Sequence, residues 1–134
     1  MSRLDDGAVV SVMVVDDQKP FRDAARAVID RLDGFQVVAE AASGEDAVKL
    51  ASAVHPDLVL MDINMGDMDG ITATSIITSS SPDTMVVLLS TYELTDLPPT
   101  ARTSGAAAYV NKDDFGGRSL RRLWSEAGDP DFRR

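Results

Sequence analysis

The feature that most constrains this chain is a regular alternation of strand-like and helix-like segments along almost its whole length. Short β-branched or aliphatic runs are each followed by a stretch in which apolar residues recur at helical spacing. The predicted strands cover residues 9–15, 35–41, 58–61, 84–90 and 106–110. Five strand-helix units in succession predict a parallel sheet with helices on both faces. Right-handed crossovers restrict such a sheet to a few doubly wound strand orders.

Helices are predicted between these strands from apolar periodicity and from residues that suit helix ends. After the first strand, apolar residues recur at helical spacing at Phe21, Ala25, Val28, Ile29 and Leu32. Gly34 is expected to end this helix. Ser43 is placed to cap the second helix, and Asp46 gives a pattern close to a capping box. The third helix is expected over about 71–78, with a turn over 79–82.

The fourth helix is expected to be unusually short. Pro98 and Pro99 allow a helix to begin there, because proline fits a first turn but not a helix interior. Only one or two turns can then fit before Gly105. The last helix is predicted from an apolar stripe at Leu120, Leu123, Trp124 and Ala127.

Length and composition indicate one globular domain over residues 1–134, with its core at about 9–127. A chain of 134 residues that is 44% hydrophobic can bury a substantial core. No apolar run approaches the roughly 20 residues that span a bilayer, and the first ten residues carry acids where a secretory signal carries basic residues. The absence of cysteine excludes disulfides, thiolate metal sites and cysteine nucleophiles. We therefore expect a cytoplasmic protein.

The charge balance argues against binding to nucleic acids or membranes. The chain has 13 basic and 22 acidic residues and a formal net charge of −9, which would repel phosphate backbones and anionic lipids. Basic residues gather near the end, at Arg118, Arg121, Arg122, Arg133 and Arg134. We expect them to form a solvated helix face and tail, with no direct contact to nucleic acid.

Polar side chains that can do chemistry stand where the predicted strands end. They are Asp16 and Asp17 after the first strand, Asp62 after the third, Ser90 and Thr91 after the fourth, and Lys112 after the fifth. In open α/β sheets, sites form at the carboxyl ends of strands, near the switch in strand order. In a flavodoxin-like order the first and third strands are neighbours, so the three carboxylates should converge.

Three converging carboxylates suggest a cation site and a phosphoryl-transfer chemistry. They repel one another and would partly protonate unless a cation such as Mg²⁺, which prefers oxygen ligands, neutralises them. Lys112 can balance the remaining charge. The only histidine, His55, precedes the third strand at the opposite end of the sheet, which excludes histidine triads and metal clusters. A carboxylate beside Mg²⁺ can itself attack phosphorus, with a lysine and a hydroxyl stabilising the phosphoryl oxygens.

These residues resemble the receiver domain of bacterial two-component response regulators. The resemblance runs from about residue 9 to 127. It rests on four motifs in order, each at a strand end: VVDDQ, LMDINMGDMDG, VVLLST and AAYVNKDD. An acidic pair alone would be a weak signal, whereas all four together are specific. The resemblance implies a flavodoxin-like (βα)5 fold, with a five-stranded parallel sheet in the order 2-1-3-4-5.

Carried over by position, the resemblance makes Asp62 the phosphoacceptor. Asp17 would bind Mg²⁺ directly, and Asp16 would hold the metal's waters or complete the site. Asn64, two residues beyond the acceptor, would offer its backbone carbonyl to the metal. The two aspartates of the loop that follows are interpreted as solvated turn residues outside the site: Asp67 and Asp69.

The phosphoryl group would be held by the last two strands. The resemblance implies that Ser90 hydrogen-bonds it and that Lys112 pairs with it. Thr91 competes with Ser90 for the hydroxyl role, but the spacing to the lysine favours Ser90. Tyr109 matches the aromatic residue that the family moves inward on activation.

The chain departs from the family pattern in three places. Gly66 replaces the usual proline of the acceptor loop, which should loosen that loop. Asp113 follows the lysine, as in receivers of the NarL type, which usually precede a helix-turn-helix domain. Because the sequence ends at Arg134, we expect a stand-alone receiver. Pro98 and Pro99 shorten the fourth helix, which argues against the family's usual homodimer through helix 4, strand 5 and helix 5.

The expected function is therefore a phosphorylation-controlled switch that receives its phosphoryl group from a sensor histidine kinase. It would present a changed surface to an unidentified downstream protein, and it would catalyse only its own modification. One alternative is a binding module that signals without phosphate, although the intact acid pair, Asp62 and Lys112 oppose it. The other is a Mg²⁺-dependent phosphatase with an aspartyl intermediate. Such enzymes usually carry a D-x-D motif, which VVDDQKP lacks.

Overall fold

A five-stranded parallel sheet forms the centre of the protein. The computed structural model describes residues 9–66, 68–91 and 97–126. The strands are β1 (Val10–Val15), β2 (Phe35–Ala41), β3 (Leu58–Asp62), β4 (Met85–Ser90) and β5 (Ala108–Asn111). Their order is β2-β1-β3-β4-β5 and every pairing is parallel, which confirms the predicted topology.

In the part of the chain that the structure describes, five α-helices connect or follow these strands. They are α1 (Lys19–Asp30), α2 (Gly44–Val54), α3 (Gly70–Ser80), α4 (Thr100–Thr103) and α5 (Gly117–Glu126). As predicted, α4 is a single short turn that begins after Pro98 and Pro99. None of the helices in the described part of the chain is long and apolar enough to cross a membrane.

Each face of the sheet packs against its own pair of helices. Alternate strand residues such as Met13, Met61 and Leu88 pack with α2 and α3, while the intervening residues pack with α1 and α5. Burying one such side chain stabilises the fold by about 2 kcal/mol. Strand β3 is buried along its whole length, including Asp62. The central strands therefore hold their carboxyl ends in fixed positions.

Several predicted helix boundaries were wrong by a few residues. Helix α1 ends at Asp30 rather than near Gly34, which instead turns the chain into β2 with a φ of 89°. Helix α3 continues to Ser80, so the predicted turn over 79–82 begins too early. Its start is fixed by Asp69, whose exposed carboxylate accepts a 2.7 Å hydrogen bond from the N–H of Thr72.

Other local predictions agree with the structure. Ser43 caps α2 by accepting a hydrogen bond from the N–H of Asp46 at 3.1 Å. On α5, Leu120 is fully buried and Trp124 is half-buried against Phe35. The exposed basic face predicted there contains Arg118, Arg121 and Arg122. Three predictions fall outside the described residues: those on Asp67, on Ala127 and on the basic tail at 133–134.

Candidate functional site

Asp62 is held rigidly at the carboxyl end of the buried strand β3. It pairs in register with Leu89 of β4, whose carbonyl accepts the N–H of Ile63 at 3.0 Å. Only 4% of Asp62 is exposed. An apolar strand flanked on both sides by other strands thus delivers a carboxylate to the edge of the sheet with little freedom to move.

The acidic pair follows β1, the strand beside β3. Asp16 is fully buried, and its carboxylate accepts the N–H of Gln18 at 2.8 Å. Asp17 is exposed. One carboxylate oxygen from each of Asp16, Asp17 and Asp62 lies within 4.8 Å of the others. The structure therefore brings together the three carboxylates that the sequence placed at neighbouring strand ends.

Lys112, directly after β5, reaches both buried carboxylates. Its Nζ lies 2.7 Å from Oδ2 of Asp16 and 3.4 Å from Oδ1 of Asp62. The ammonium also stands 4.6 Å from the centre of the Phe21 ring, at the distance of a cation–π contact. Burial alone would lower the pKa of Lys112, but the hydrogen bond to Asp16 and the two negative charges outweigh it and raise that pKa. Lys112 therefore stays cationic at neutral pH.

The environment of Asp62 makes its ionisation costly. Burial is the main cause, and the charge of Asp16 adds to it, so the pKa of Asp62 rises to about 6. The charge of Lys112 and a hydrogen bond from the backbone N–H of Asn64 act in the opposite direction. The carboxyl group is thus largely ionised at pH 7, and any added positive charge nearby would lower its pKa and stabilise the ionised form.

A cavity of about 210 Å³ opens over these groups. Its lining residues are Asp17, Gln18, Asp62, Asn64, Thr91 and Lys112. Ser90 is fully buried at the end of β4, next to the wall but not part of the lining, whereas Thr91 is exposed and lines it. Both hydroxyls therefore lie at the carboxyl end of β4, and the preference for Ser90 as the phosphoryl contact stays a prediction.

The oxygen atoms of the cluster suit Mg²⁺. Oxygens on opposite sides of this ion would be about 4.2 Å apart, given metal–oxygen distances of about 2.1 Å. One oxygen from each carboxylate lies within 4.8 Å of the other two, so small side-chain movements would bring all three within this limit. Asp17 and Asn64 are exposed and line the cavity, while Asp16 is enclosed and paired with Lys112. Asp17 and Asp62 are therefore the carboxylates of the cluster that a cation entering the cavity could reach, with Asn64 beside them.

Two further predicted positions lie close to the site. Gly66, in the loop that follows Asp62, has a φ of 44°, which proline cannot adopt because its ring fixes φ near −65°. A proline at position 66 would therefore require a different backbone path in this loop. Tyr109 lies in β5 beside Leu88 and is half-buried against the core on the α2–α3 side.

His55 is exposed at the end of α2, far from the cluster in the topology, as the sequence indicated. Sequence reasoning missed three neighbours of the site: Gln18, Phe21 and Arg22. Their only sequence signal is that they follow the acidic pair in the first turns of a helix, where side chains can reach back over the strand end.

The family of response regulator receiver domains matches residues 12–122 of this chain. Response regulator GacA of Pseudomonas aeruginosa is 38% identical over 104 residues, which cover 78% of this chain and 49% of that protein. Response regulator UvrY of Escherichia coli K12 is 36% identical over 104 residues, with coverage of 78% and 48%. The chain spans about half the length of these curated relatives.

Solved structures show the same fold. The signal receiver domain of NarL from Mycobacterium tuberculosis superposes with a TM-score of 0.82 at 29% identity, covering 91% of this chain and 98% of that one. A two-component response regulator of the LuxR family from Aurantimonas superposes with a TM-score of 0.81 at 27% identity, covering 93% of both chains. With the family match over most of its length, the chain belongs to the receiver domains of two-component response regulators.

Proposed function

We propose that this receiver works as a phosphorylation-controlled switch in which Asp62 accepts a phosphoryl group from a sensor histidine kinase in a Mg²⁺-dependent step. One observation carries the proposal. A carboxylate fixed at the end of a buried strand has an ammonium 3.4 Å away and two more carboxylates within 4.8 Å. This arrangement offers a nucleophile, a cation for the phosphoryl oxygens and ligands for a metal.

The proposed reaction uses groups already in place. An ionised oxygen of Asp62 attacks phosphorus, the phosphorus–nitrogen bond to the kinase histidine breaks, and the imidazole keeps the bonding electrons. The ammonium of Lys112 would move from the carboxylate to the phosphoryl oxygens as they take up the negative charge, which is a short movement for this flexible side chain. Bound Mg²⁺ would supply the positive charge that offsets three carboxylates and the incoming phosphoryl group. The backbone N–H of Asn64 would keep the unreacted oxygen of Asp62 oriented.

The proposed switch starts at the end of β4. Ser90 is buried one residue beyond Leu89, the register partner of Asp62, so a small displacement would bring its hydroxyl to a phosphoryl group there. Tyr109 lies on the neighbouring strand and would move into the space that opens. Phosphorylation would then shift the balance between two arrangements and change the surface offered to a downstream protein. Replacing Ser90 by alanine should reduce the phosphorylation-dependent change in this surface more than replacing Thr91 by valine.

The short helix α4 limits how that surface could form a homodimer. Helix α4 has one turn, Thr100–Thr103, and offers little helical surface for a homodimer through α4, β5 and α5. We therefore propose that the activated state binds a different protein rather than forming the family's usual homodimer. The chain would modify only itself, so it would act as a switch rather than as an enzyme with turnover.

Intact mass after incubation with acetyl phosphate and Mg²⁺ tests the proposal directly. We expect one phosphoryl adduct in the wild type, none after chelation of Mg²⁺ and none in Asp62→Asn. Asp69→Asn is the matched control, because Asp69 is an exposed carboxylate in the same loop that only caps α3. An adduct that persists in Asp62→Asn would assign the acceptor elsewhere. No adduct with acetyl phosphate or with a panel of histidine kinases would support a module that signals without phosphate.

A further inference from the structure

Arg22, in the first turn of α1, contacts the backbone of the acidic pair. Its Nη1 donates to the carbonyl oxygen of Asp16 at 2.7 Å, and its Nε donates to Oε1 of Glu40 at 3.2 Å. The side chain is only 17% exposed. A guanidinium used in this way, between a backbone carbonyl and a carboxylate, has two separate donors fixed in one plane.

Glu40 ties this contact to the end of β2. It precedes Ala41, whose carbonyl accepts the N–H of Asp16 at 3.0 Å. Both backbone polar groups of Asp16 are thus anchored to the same strand end. The N–H is held directly, and the carbonyl is held through Arg22 and Glu40.

The held carbonyl belongs to the peptide bond that joins Asp16 to Asp17. Because a peptide unit is planar, fixing its oxygen fixes the direction in which the chain enters Asp17. Asp17 is the exposed member of the three-carboxylate cluster and gains nothing from burial to hold it there. Its position relative to Asp62 therefore depends on the backbone that precedes it.

We propose that Arg22 is a positioning residue for the cation site, which holds the Asp16–Asp17 peptide so that the carboxylate of Asp17 faces Asp62. The inference rests on the Mg²⁺ site of the proposed function. Arg22 touches neither the metal nor the phosphoryl group in this role. It acts through the orientation of one peptide unit.

Charge and geometry make opposite predictions at this position, which makes the proposal testable. On Coulombic grounds alone, removing a guanidinium near three carboxylates should strengthen the binding of a cation. If Arg22 positions Asp17, the same removal should weaken it. The sign of the change separates the two effects.

Arg26 provides a matched control on the same helix. It binds Oε2 of Glu40 through Nη2 at 2.6 Å and through Nε at 2.9 Å, one helical turn beyond Arg22. Arg26→Ala thus removes an equal charge and a pairing to the same Glu40. It leaves the hydrogen bond from Arg22 to Asp16 in place.

Calorimetric titration with MgCl₂, without phosphodonor, measures the effect. We expect Arg22→Ala to weaken Mg²⁺ binding by about tenfold, as is typical for groups that orient metal ligands. Arg26→Ala should leave the affinity unchanged or slightly stronger. Arg22→Lys, which keeps the charge but not the planar pair of donors, should weaken binding as well, and it decides the matter if the alanine variant does not fold. Unchanged or stronger binding in both Arg22 variants, or equal weakening in Arg26→Ala, would overturn the proposal.

Amide hydrogen exchange without metal provides an independent readout. Exchange at Asp16 and Gln18, whose N–H groups are both hydrogen-bonded, should be faster in Arg22→Ala than in Arg26→Ala. Equal exchange in the two variants would overturn the positioning role. A wild type that binds no Mg²⁺ would instead refute the metal step of the proposed function, and the exchange result would still decide whether Arg22 holds this peptide.

Discussion

Lys112 and Asp16 form an ion pair at the carboxyl end of the sheet, with 2.7 Å between Nζ and Oδ2. Asp16 has no exposed surface, and the side chain of Lys112 is only 16% exposed. The same ammonium is 3.4 Å from Asp62, so one ammonium contacts two carboxylates at the carboxyl ends of different strands. Removing the charge of Lys112 should therefore affect both carboxylates, and the change should be easiest to measure at Asp62, whose pKa is raised.

Replacing Lys112 by glutamine should raise the pKa of Asp62 well above its present value of about 6. Both contributions of Lys112, its charge and its hydrogen bond, favour the ionised carboxylate, whereas burial and Asp16 continue to oppose it. The pKa can be followed by NMR titration of the carboxyl carbon without Mg²⁺. Lys19→Gln is the control, because Lys19 is exposed and pairs with Asp23. An unchanged pKa in Lys112→Gln would show that the ammonium does not act on Asp62.

The raised pKa of Asp62 should make the metal-free protein less stable as the pH rises from about 4 to about 6. The folded state binds this proton more tightly than the unfolded chain, in which the pKa of the Asp62 carboxyl group is 3.8. The stabilising contribution of the protonated form is thus complete below 3.8 and is lost as the pH passes through about 6.

Asp62→Asn removes this titration and tests the sign. At pH 7 without Mg²⁺, the variant should be more stable than the wild type by about 1 to 3 kcal/mol in urea unfolding. The difference should shrink below pH 4, where the wild type is protonated as well. Ser75→Ala, an exposed change on α3 that removes no titratable group, should show the same pH dependence of stability as the wild type. A variant that is less stable than the wild type at pH 7 would contradict the direction of the shift.

The sequence predicted the sheet and the main site residues because one simple relation connects them. Apolar runs mark the strands, and parallel strands end at the same edge, so the residue after each run could be placed in space. Asp16, Asp62 and Lys112 were all found in this way. Strand order followed from the handedness of the crossovers and from the family resemblance.

The remaining features depend on contacts between segments that are remote in the sequence. The pairing of Arg22 with Glu40 joins a helix to a strand end, and nothing in the local pattern around either residue indicates it. The same is true of Phe21 under Lys112. At the end of β4, periodicity cannot say whether Ser90 or the next residue faces the cavity, because the chain leaves the sheet there.

Gly66 should be sensitive to a side chain for conformational reasons alone. Its φ of 44° is unfavourable for L-residues, while a Cβ at this position would meet no atom within 4 Å. Gly66→Ala should therefore destabilise the fold by about 1 kcal/mol through the backbone. Gly116→Ala is the matched control, since its Cβ also enters open space and its φ is not positive. Equal changes in the two variants, measured by urea unfolding, would contradict the account.

Gly70 should be sensitive for a different reason, because this first residue of α3 packs directly on the end of β3. A Cβ at Gly70 would overlap the carbonyl oxygen of Asp62 and would lie 3.0 Å from the Cα of Ile63. The N–H of Gly70 also donates to the carbonyl of Ile63 at 2.9 Å, so the helix cannot withdraw without losing this hydrogen bond. Gly70→Ala should therefore destabilise the fold by about 2 kcal/mol or more.

The same substitution should also displace Asp62, the proposed phosphoacceptor. Because the overlap falls on the backbone of Asp62, we expect slower formation of the phosphoryl adduct with acetyl phosphate and Mg²⁺ under conditions in which the variant is folded. Ser75→Ala, an exposed change on the same helix, should alter neither stability nor adduct formation appreciably. Normal adduct formation in a destabilised Gly70→Ala would show that α3 yields to the added methyl group while β3 and Asp62 keep their positions.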